Sequence, residues 1–219
     1  MYHLVGIPLG NLLIFLFPEK TKKLGENRIT LIHMNKKNMS LSERLMRAAM
    51  VNKLNNIEDF DTIAQSNKEF WITKGPDLFK ETEDTFESDF LPYCAFIFDL
   101  LKKQLMLQRI KINSLVEIGT GNGDVLNYLS HQFPEIKRFI GIDLSPAQIE
   151  LNIKKFRGNE KLEFVAMDAV DWVEKNGEGN TIFVSSRGVL EYFLENDLQD
   201  FLKQVNQLNP VYFVAIEPN

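Results

Sequence analysis

Val116-Glu117-Ile118-Gly119-Thr120-Gly121-Asn122-Gly123-Asp124-Val125-Leu126 is the stretch that decides how this 219-residue chain is read. A short apolar run enters three glycines on alternate positions, and an apolar-periodic segment leaves them. That order predicts a strand, a tight turn and a helix. Glycines at 119, 121 and 123 let a backbone turn sharply and approach a ligand where a Cβ would collide. The helix that follows aims its unsatisfied N–H groups at the same spot. A nucleotide-like ligand is the first expectation, set against a tight turn that holds no ligand.

Spacing narrows the ligand. In the dinucleotide fingerprint G-x-G-x-x-G the third glycine packs the helix close to a pyrophosphate. Asp124 occupies that position here. A carboxylate beside a diphosphate is unfavourable, so NAD and FAD fall in rank. The spacing E-x-G-x-G-x-G, with Glu117 ahead of Gly119, Gly121 and Gly123, instead resembles motif I of the class I S-adenosylmethionine-dependent methyltransferases. That cofactor has no phosphate and carries a sulfonium and an ammonium, so carboxylates around the loop help. The resemblance implies that Glu117, Gly119, Thr120, Gly121, Asn122 and Gly123 serve the cofactor.

The flanking segments extend the pattern. Arg138 to Ile142 is a second apolar strand signal and ends in Asp143. An acid about 20 residues past a glycine loop, at the end of the second strand, holds a ribose diol in doubly wound nucleotide sites. Asp143 is the first cofactor residue on that ground, with Leu144 beside it in the crevice. Ser145, Pro146 and Gln148 then supply an N-cap, a first-turn proline and a capping-box partner for the next helix. Leu162 to Ala166 reads as a third strand, followed by Asp168 and Ala169. The resemblance implies that the acid there meets the adenine amino group; an ordinary helix N-cap is the other reading of Asp168.

Thr181 to Ser185 is a fourth strand, Leu194 to Leu208 carries a helical apolar stripe, and Val211 to Ile216 is a fifth strand. Nearly continuous apolar strands alternating with helices belong to a parallel sheet covered on both faces. The fold expected is therefore α/β: a Rossmann-like, doubly wound, mostly parallel sheet with an N-terminal helical extension. Class I methyltransferases continue past the fifth strand with a helix and two more strands, whereas this sequence stops at Glu217-Pro218-Asn219. A truncated product, a partner or second protomer covering the fifth-strand edge, and an N-terminal segment folded over it are the three accounts of that stop.

The chain divides by composition into an apolar and basic segment over residues 1–40, a helical lid and substrate-side extension over 41–112, and a cofactor-binding core over 113–219. Leu4 to Phe17 is apolar apart from Asn11, is interrupted by Gly6, Pro8 and Gly10, and precedes Lys20, Lys22 and Lys23. It is too short to span a bilayer and lacks the layout of a signal peptide. Peripheral contact with a membrane surface through residues 4–17 is one reading, and packing against the protein's own core or a partner subunit is the other. Further on, Leu41, Leu45, Met46, Ala49 and Met50 form a helical stripe opened by Ser40 or Ser42. Glu81, Glu83, Asp84, Glu87 and Asp89 make an acidic run, read as a solvated helix face. By analogy with the family, Trp71, Lys74, Phe90 and Tyr93 are pocket candidates, with core packing as the default for the aromatics.

Composition agrees with a globular enzyme. The chain is 44% hydrophobic and 25% charged with a net charge of −5. That balance argues against a nucleic-acid partner, which needs a clustered basic face. The single Cys94 allows no internal disulfide, so a reducing, cytoplasmic setting follows, with membrane association under the first reading of residues 4–17. No metal is expected: Cys94 lacks ligand company, and the fourth strand ends in Ser185 rather than an acid.

Methyl transfer is an in-line displacement that asks mainly for alignment and exclusion of water. A hydroxyl acceptor also needs a base within hydrogen-bond reach. The resemblance places Ser185-Ser186-Arg187-Gly188-Val189-Leu190-Glu191-Tyr192-Phe193 against the methyl group, with Ser185 on the cofactor side. Glu191 is the candidate base, and Arg187 or Tyr192 would orient the acceptor; Arg187 and Glu191 could equally form an i, i+4 pair. No Asp/Asn-Pro-Pro-Tyr/Phe follows the fourth strand, and His3, His33 and His131 lie outside this stretch. A small-molecule acceptor remains: a hydroxyl of a sugar, a lipid-linked intermediate or a natural product. The alternative is a methyltransferase-fold chain that only binds the cofactor or acts as an interaction module.

Overall fold

A computed structural model describes residues 2–25, 39–56, 60–81 and 85–217. They form two compact units, Met1–Phe70 and Trp71–Asn219.

In the first unit, α1 (Tyr2–Leu16), α2 (Pro18–Leu24) and α3 (Leu41–Asn55) share a small core of Leu24 and Met46 with Leu13, Ile14, Met50, Val51 and Leu54 packed against it. The sequence leaves α1 with a proline and two glycines, yet the helix runs through Pro8. Ser40 is the N-cap of α3: its Oγ accepts from the Glu43 N–H, and Glu43 accepts from the Ser40 N–H at 2.7 Å. That completes a capping box and settles which serine opens the helix. α4 (Phe60–Glu81) begins in this unit, and its residues from Trp71 onward belong to the second.

The second unit holds one five-stranded sheet. Its strands are β1 (Ser114–Ile118), β2 (Arg138–Asp143), β3 (Leu162–Ala166), β4 (Thr181–Ser186) and β5 (Val211–Ile216). Their order is β3-β2-β1-β4-β5, and every pairing is parallel. The crossovers are α6 (Asp124–Gln132), α7 (Pro146–Lys155), α8 (Ala169–Asn176) and α9 (Glu195–Gln207), while α5 (Leu91–Gln108) precedes β1. All five strands and the doubly wound order agree with the pattern of apolar runs.

Both faces of the sheet are covered, which is why β1 and β4 are buried along their whole length. On one face Leu115, Phe139, Ile182 and Val184 pack with Val125, Leu126 and Leu129 of α6 and Phe98, Leu101 and Leu105 of α5. On the other, Val116, Ile118, Ile140, Ile142 and Phe183 pack with Trp172 and Val173 of α8 and Phe201 and Val205 of α9. Phe90 belongs to the first of these cores, in keeping with core packing, and Tyr93 is exposed. Cys94 packs against the same core. Glu87 and Asp89 of the acidic run are exposed on the π-helical turn Phe86–Phe90, whereas Glu83 and Asp84 lie outside the described residues.

β1 has β2 on one side and β4 on the other, so the direction of winding reverses there. In open α/β sheets a ligand binds in the crevice beyond the strand C-termini at such a switch point. The glycine loop leaves β1 at that place.

Candidate functional site

The loop after β1 favours glycine, as Gly119 and Gly121 illustrate. Gly119 has φ +65°, and a Cβ there would lie 2.6 Å from Val189 Cγ2. Gly121 has φ +50°, and its Cβ would meet the Phe79 ring at 3.0 Å. Both combine a left-handed backbone with a crowded Cβ site.

The loop's N–H groups are turned inward to protein acceptors. Thr120 N donates to Ile142 O at 2.9 Å, Gly121 N to Asp143 Oδ2 at 3.0 Å, and Gly123 N to Thr120 O at 2.9 Å. Leu126 N donates to Glu117. A diphosphate cradle needs such donors aimed outward. These three inward bonds weigh against a dinucleotide more than Asp124 does, because Asp124 is paired with Lys155 at 2.7 Å and its charge is compensated. The acids and the consumed donors together suit a cofactor that is cationic and free of phosphate.

Glu117 sits beneath the loop, 1% exposed. Its Oε2 accepts from Thr120 Oγ1 at 2.7 Å and its Oε1 from Ser186 Oγ at 2.9 Å, which ties β1, the loop and β4 together. Burial pushes its carboxyl up to about 7 against the pull of those donors and of Arg187. The geometry makes it a brace for the loop.

Asp143 is drawn on in the same way. Its Oδ1 accepts from Ser145 N at 2.9 Å, its Oδ2 from Gly121 N, and Leu144 N adds to them. Three of the roughly four acceptor directions of a carboxylate are thus used, and about one is left. Burial raises its pKa to about 6 despite these bonds. Ser145 caps α7 by accepting from Gln148 N, but Gln148 does not close the capping box. Its side chain bonds Asn152 at 2.8 Å instead, and Asn152 Nδ2 donates to Gly121 O at 2.7 Å. Asp143 takes the Ser145 N–H that a capping glutamine would have taken.

Asp168 is the N-cap of α8, accepting from Val170 N at 3.0 Å, with half-buried Met167 and buried Ala169 beside it. It therefore stands at the C-terminal end of β3 as the spacing requires, and its capping role is realised.

Beyond β4 the chain turns through Arg187, whose φ is +64°, into a single 3₁₀ turn at Leu190–Tyr192. Arg187 donates from its guanidinium to Thr85 Oγ1, and among the described ion pairs it makes none with Glu191. Glu191 is exposed on the turn. Tyr192 meets Trp71 edge-on at 5.4 Å, and Trp71 stacks on Phe79 at 5.7 Å. The end of α4 also bonds the other side of the site, with Ser145 Oγ donating to Ile72 O at 3.1 Å. Trp71 is thereby gathered to the loop, whereas Lys74 is exposed. Ser185 is fully buried and donates from Oγ to Glu217 Oε1.

Residues 115–209 match the family model described as a methyltransferase domain. That segment is a methyltransferase domain by its sequence. The solved plantazolicin methyltransferase BpumL in complex with SAH is 20% identical, with a TM-score of 0.52 over 75% of this chain and 61% of its own. The same enzyme with a monoazolic desmethylPZN analog and SAH is 21% identical, with a TM-score of 0.50 over 74% and 61%. The chain therefore spans about three fifths of the length of those neighbours. At that identity the likeness is one of fold. No curated protein matches the chain by sequence.

Three contributors to the site escaped the sequence. Glu217, just past β5, accepts from the N–H groups of Val189 and Leu190. Phe79 covers Gly121 from a helix more than forty residues earlier in the chain. Asn152 holds the loop carbonyl, and its signal was available: a polar residue four after Gln148, on the helix face that should be buried.

Among the described residues no group of His, Cys, Asp or Glu could hold a metal ion, and no helix is long and apolar enough to cross a membrane.

Proposed function

We propose that this chain transfers a methyl group from S-adenosylmethionine to a small-molecule acceptor, with a hydroxyl of a sugar, a lipid-linked intermediate or a natural product as the target. The observation that carries it is the inward turn of the loop N–H groups of Thr120, Gly121 and Gly123 beside Asp143 and Asp168. A site with its donors consumed and carboxylates at the strand ends favours a cationic, phosphate-free ligand.

Gly119 to Gly123 would take the methionine portion, Asp143 would accept from the ribose with its remaining lone pair, and Asp168-Ala169 and Leu144 would border the adenine. Bound there, S-adenosylmethionine supplies an electrophilic methyl on a sulfonium. Tyr192 and Trp71 enclose the acceptor side and keep water out. Glu191 would accept the acceptor's hydroxyl proton as the carbon–oxygen bond forms and the methyl's bond to sulfur breaks, S-adenosylhomocysteine being the leaving group, and Arg187 would orient the acceptor.

Calorimetry with S-adenosylmethionine, S-adenosylhomocysteine and NAD tests the cofactor. Binding of the first two, lost in Asp143→Ala, is the expected result; binding of NAD alone would overturn the reading. Turnover is then followed with labelled methyl donor over a panel of hydroxylated acceptors. Binding without turnover on any of them would favour the cofactor-binding module.

A further inference from the structure

We infer that α1 (Tyr2–Leu16) and α2 (Pro18–Leu24) dock the chain on an anionic lipid surface. The argument starts from the distribution of charge. Residues 1–56 hold nine Lys and Arg against three Asp and Glu, a net of +6, while the remaining 163 residues sum to −11. So marked an asymmetry in a chain of net −5 points to an anionic partner for the basic end.

The second observation is the outer face of α1. Its inner face lies on α3: Ile14 and Leu13 enter the small core, and Gly10 comes so close that a Cβ would sit 2.3 Å from Leu45 O. The opposite arc should then be polar if it met only water. Instead Leu9 is 43% exposed, Leu12 52%, Phe15 82% and Leu16 54%, and Phe17 just beyond is 49% exposed. No charged residue lies in positions 4–17. A helix apolar on both sides, with one side already packed, has a second apolar surface to bury.

The occupant follows from what comes next. Lys22 and Lys23 are exposed on α2, directly after the apolar helix. Apolar side chains followed by lysines match the depth profile of a bilayer interface: rings and aliphatics below the headgroups, ammonium groups among the phosphates. A 15-residue helix is about 22 Å long, shorter than a hydrocarbon core of about 30 Å, so it lies in the interface and does not cross. A second copy of the chain would bury the apolar arc but would bring one +6 segment against another.

The test is co-sedimentation of the full chain with phosphatidylcholine vesicles and with vesicles containing about 30% phosphatidylserine, an anionic content of the order that makes polybasic binding measurable. Binding to the anionic vesicles only, weakened by salt, is expected. Leu12→Glu with Phe15→Glu should abolish it, and Lys22→Glu with Lys23→Glu should weaken it about tenfold while leaving the apolar face intact. The lysine variant is the control for a helix that fails to fold, since it alters only exposed positions. Sedimentation with neither vesicle, or equally with both, would overturn the inference. So would a dimer in solution that Phe15→Glu converts to monomer without any vesicle binding.

Discussion

Glu217 Oε2 accepts the backbone N–H of Val189 at 2.9 Å, and the neighbouring Leu190 N–H at 3.2 Å, while its other oxygen receives Ser185 Oγ. A residue after β5 thus fastens the turn after β4, where Glu191 and Tyr192, the residues proposed to meet the acceptor, stand.

Removing that clamp should damage turnover more than cofactor binding. Two N–H groups lose a charged acceptor, each bond worth about 1.5–3 kcal/mol. Glu217→Ala is expected to lower kcat/KM by roughly tenfold to a hundredfold, with the dissociation constant for S-adenosylhomocysteine changed by no more than about threefold. Equal losses in both quantities would show that the clamp supports the whole domain and not the turn alone.

Asp143→Asn should injure both the ligand and the loop. The amide can present only one oxygen, so at least one of the Gly121 and Ser145 N–H groups is left facing an NH₂. Cofactor affinity measured by calorimetry should fall about tenfold to a hundredfold, and the melting temperature should fall with it. An unchanged melting temperature would deny the bracing role.

Gly121→Ala should cost about 1–2 kcal/mol from the left-handed backbone alone, before any clash with Phe79. Phe79→Ala in the same chain should recover only the steric part. Urea denaturation of the two single variants and the double variant measures this split. Complete recovery would show that the backbone conformation is not strained for alanine.

Glu117 and Asp143 make a pH dependence whose sign is fixed by their raised values. Unfolded, they ionise near 4.5 and 3.8; folded, they hold their protons until about pH 7 and about pH 6. Between those limits the unfolded chain binds fewer protons, so rising pH favours it. The stability these two groups contribute is fully present below about pH 4 and is lost as pH rises through 6 and 7. Urea midpoints of the ligand-free protein from pH 5 to 8 should decline from this source, and Glu117→Gln, which cannot ionise, should flatten the decline. An identical slope in that variant would contradict the assignment.

The sheet was legible because its information is local and periodic. Each strand is an apolar run, each crossover helix has an apolar stripe, and the glycine loop has its own spacing. The position of Asp143 followed from the same register. What escaped depends on contacts between segments far apart in the chain: Glu217 with Val189, Phe79 with Gly121, Arg187 with Thr85. No periodicity encodes such pairs. Asp124 failed in a different way, since its charge was visible and Lys155, 31 residues on, was not recognisable as its partner. Helix α1 forms although Gly6, Pro8 and Gly10 argue against it, because close packing of Gly10 on α3 outweighs helix propensity.

Phe79 resting on Gly121 alters what an affinity for this domain means. The position a ligand would approach already has an aromatic tenant, stacked on Trp71 and through it on Tyr192. A ligand approaching Gly121 from that side would have to displace the ring, and its measured binding energy would then be the difference between two occupants, one of them part of the chain. The strength of that internal competitor, set by residues that never touch the reacting atoms, fixes how much free ligand the domain needs before it responds.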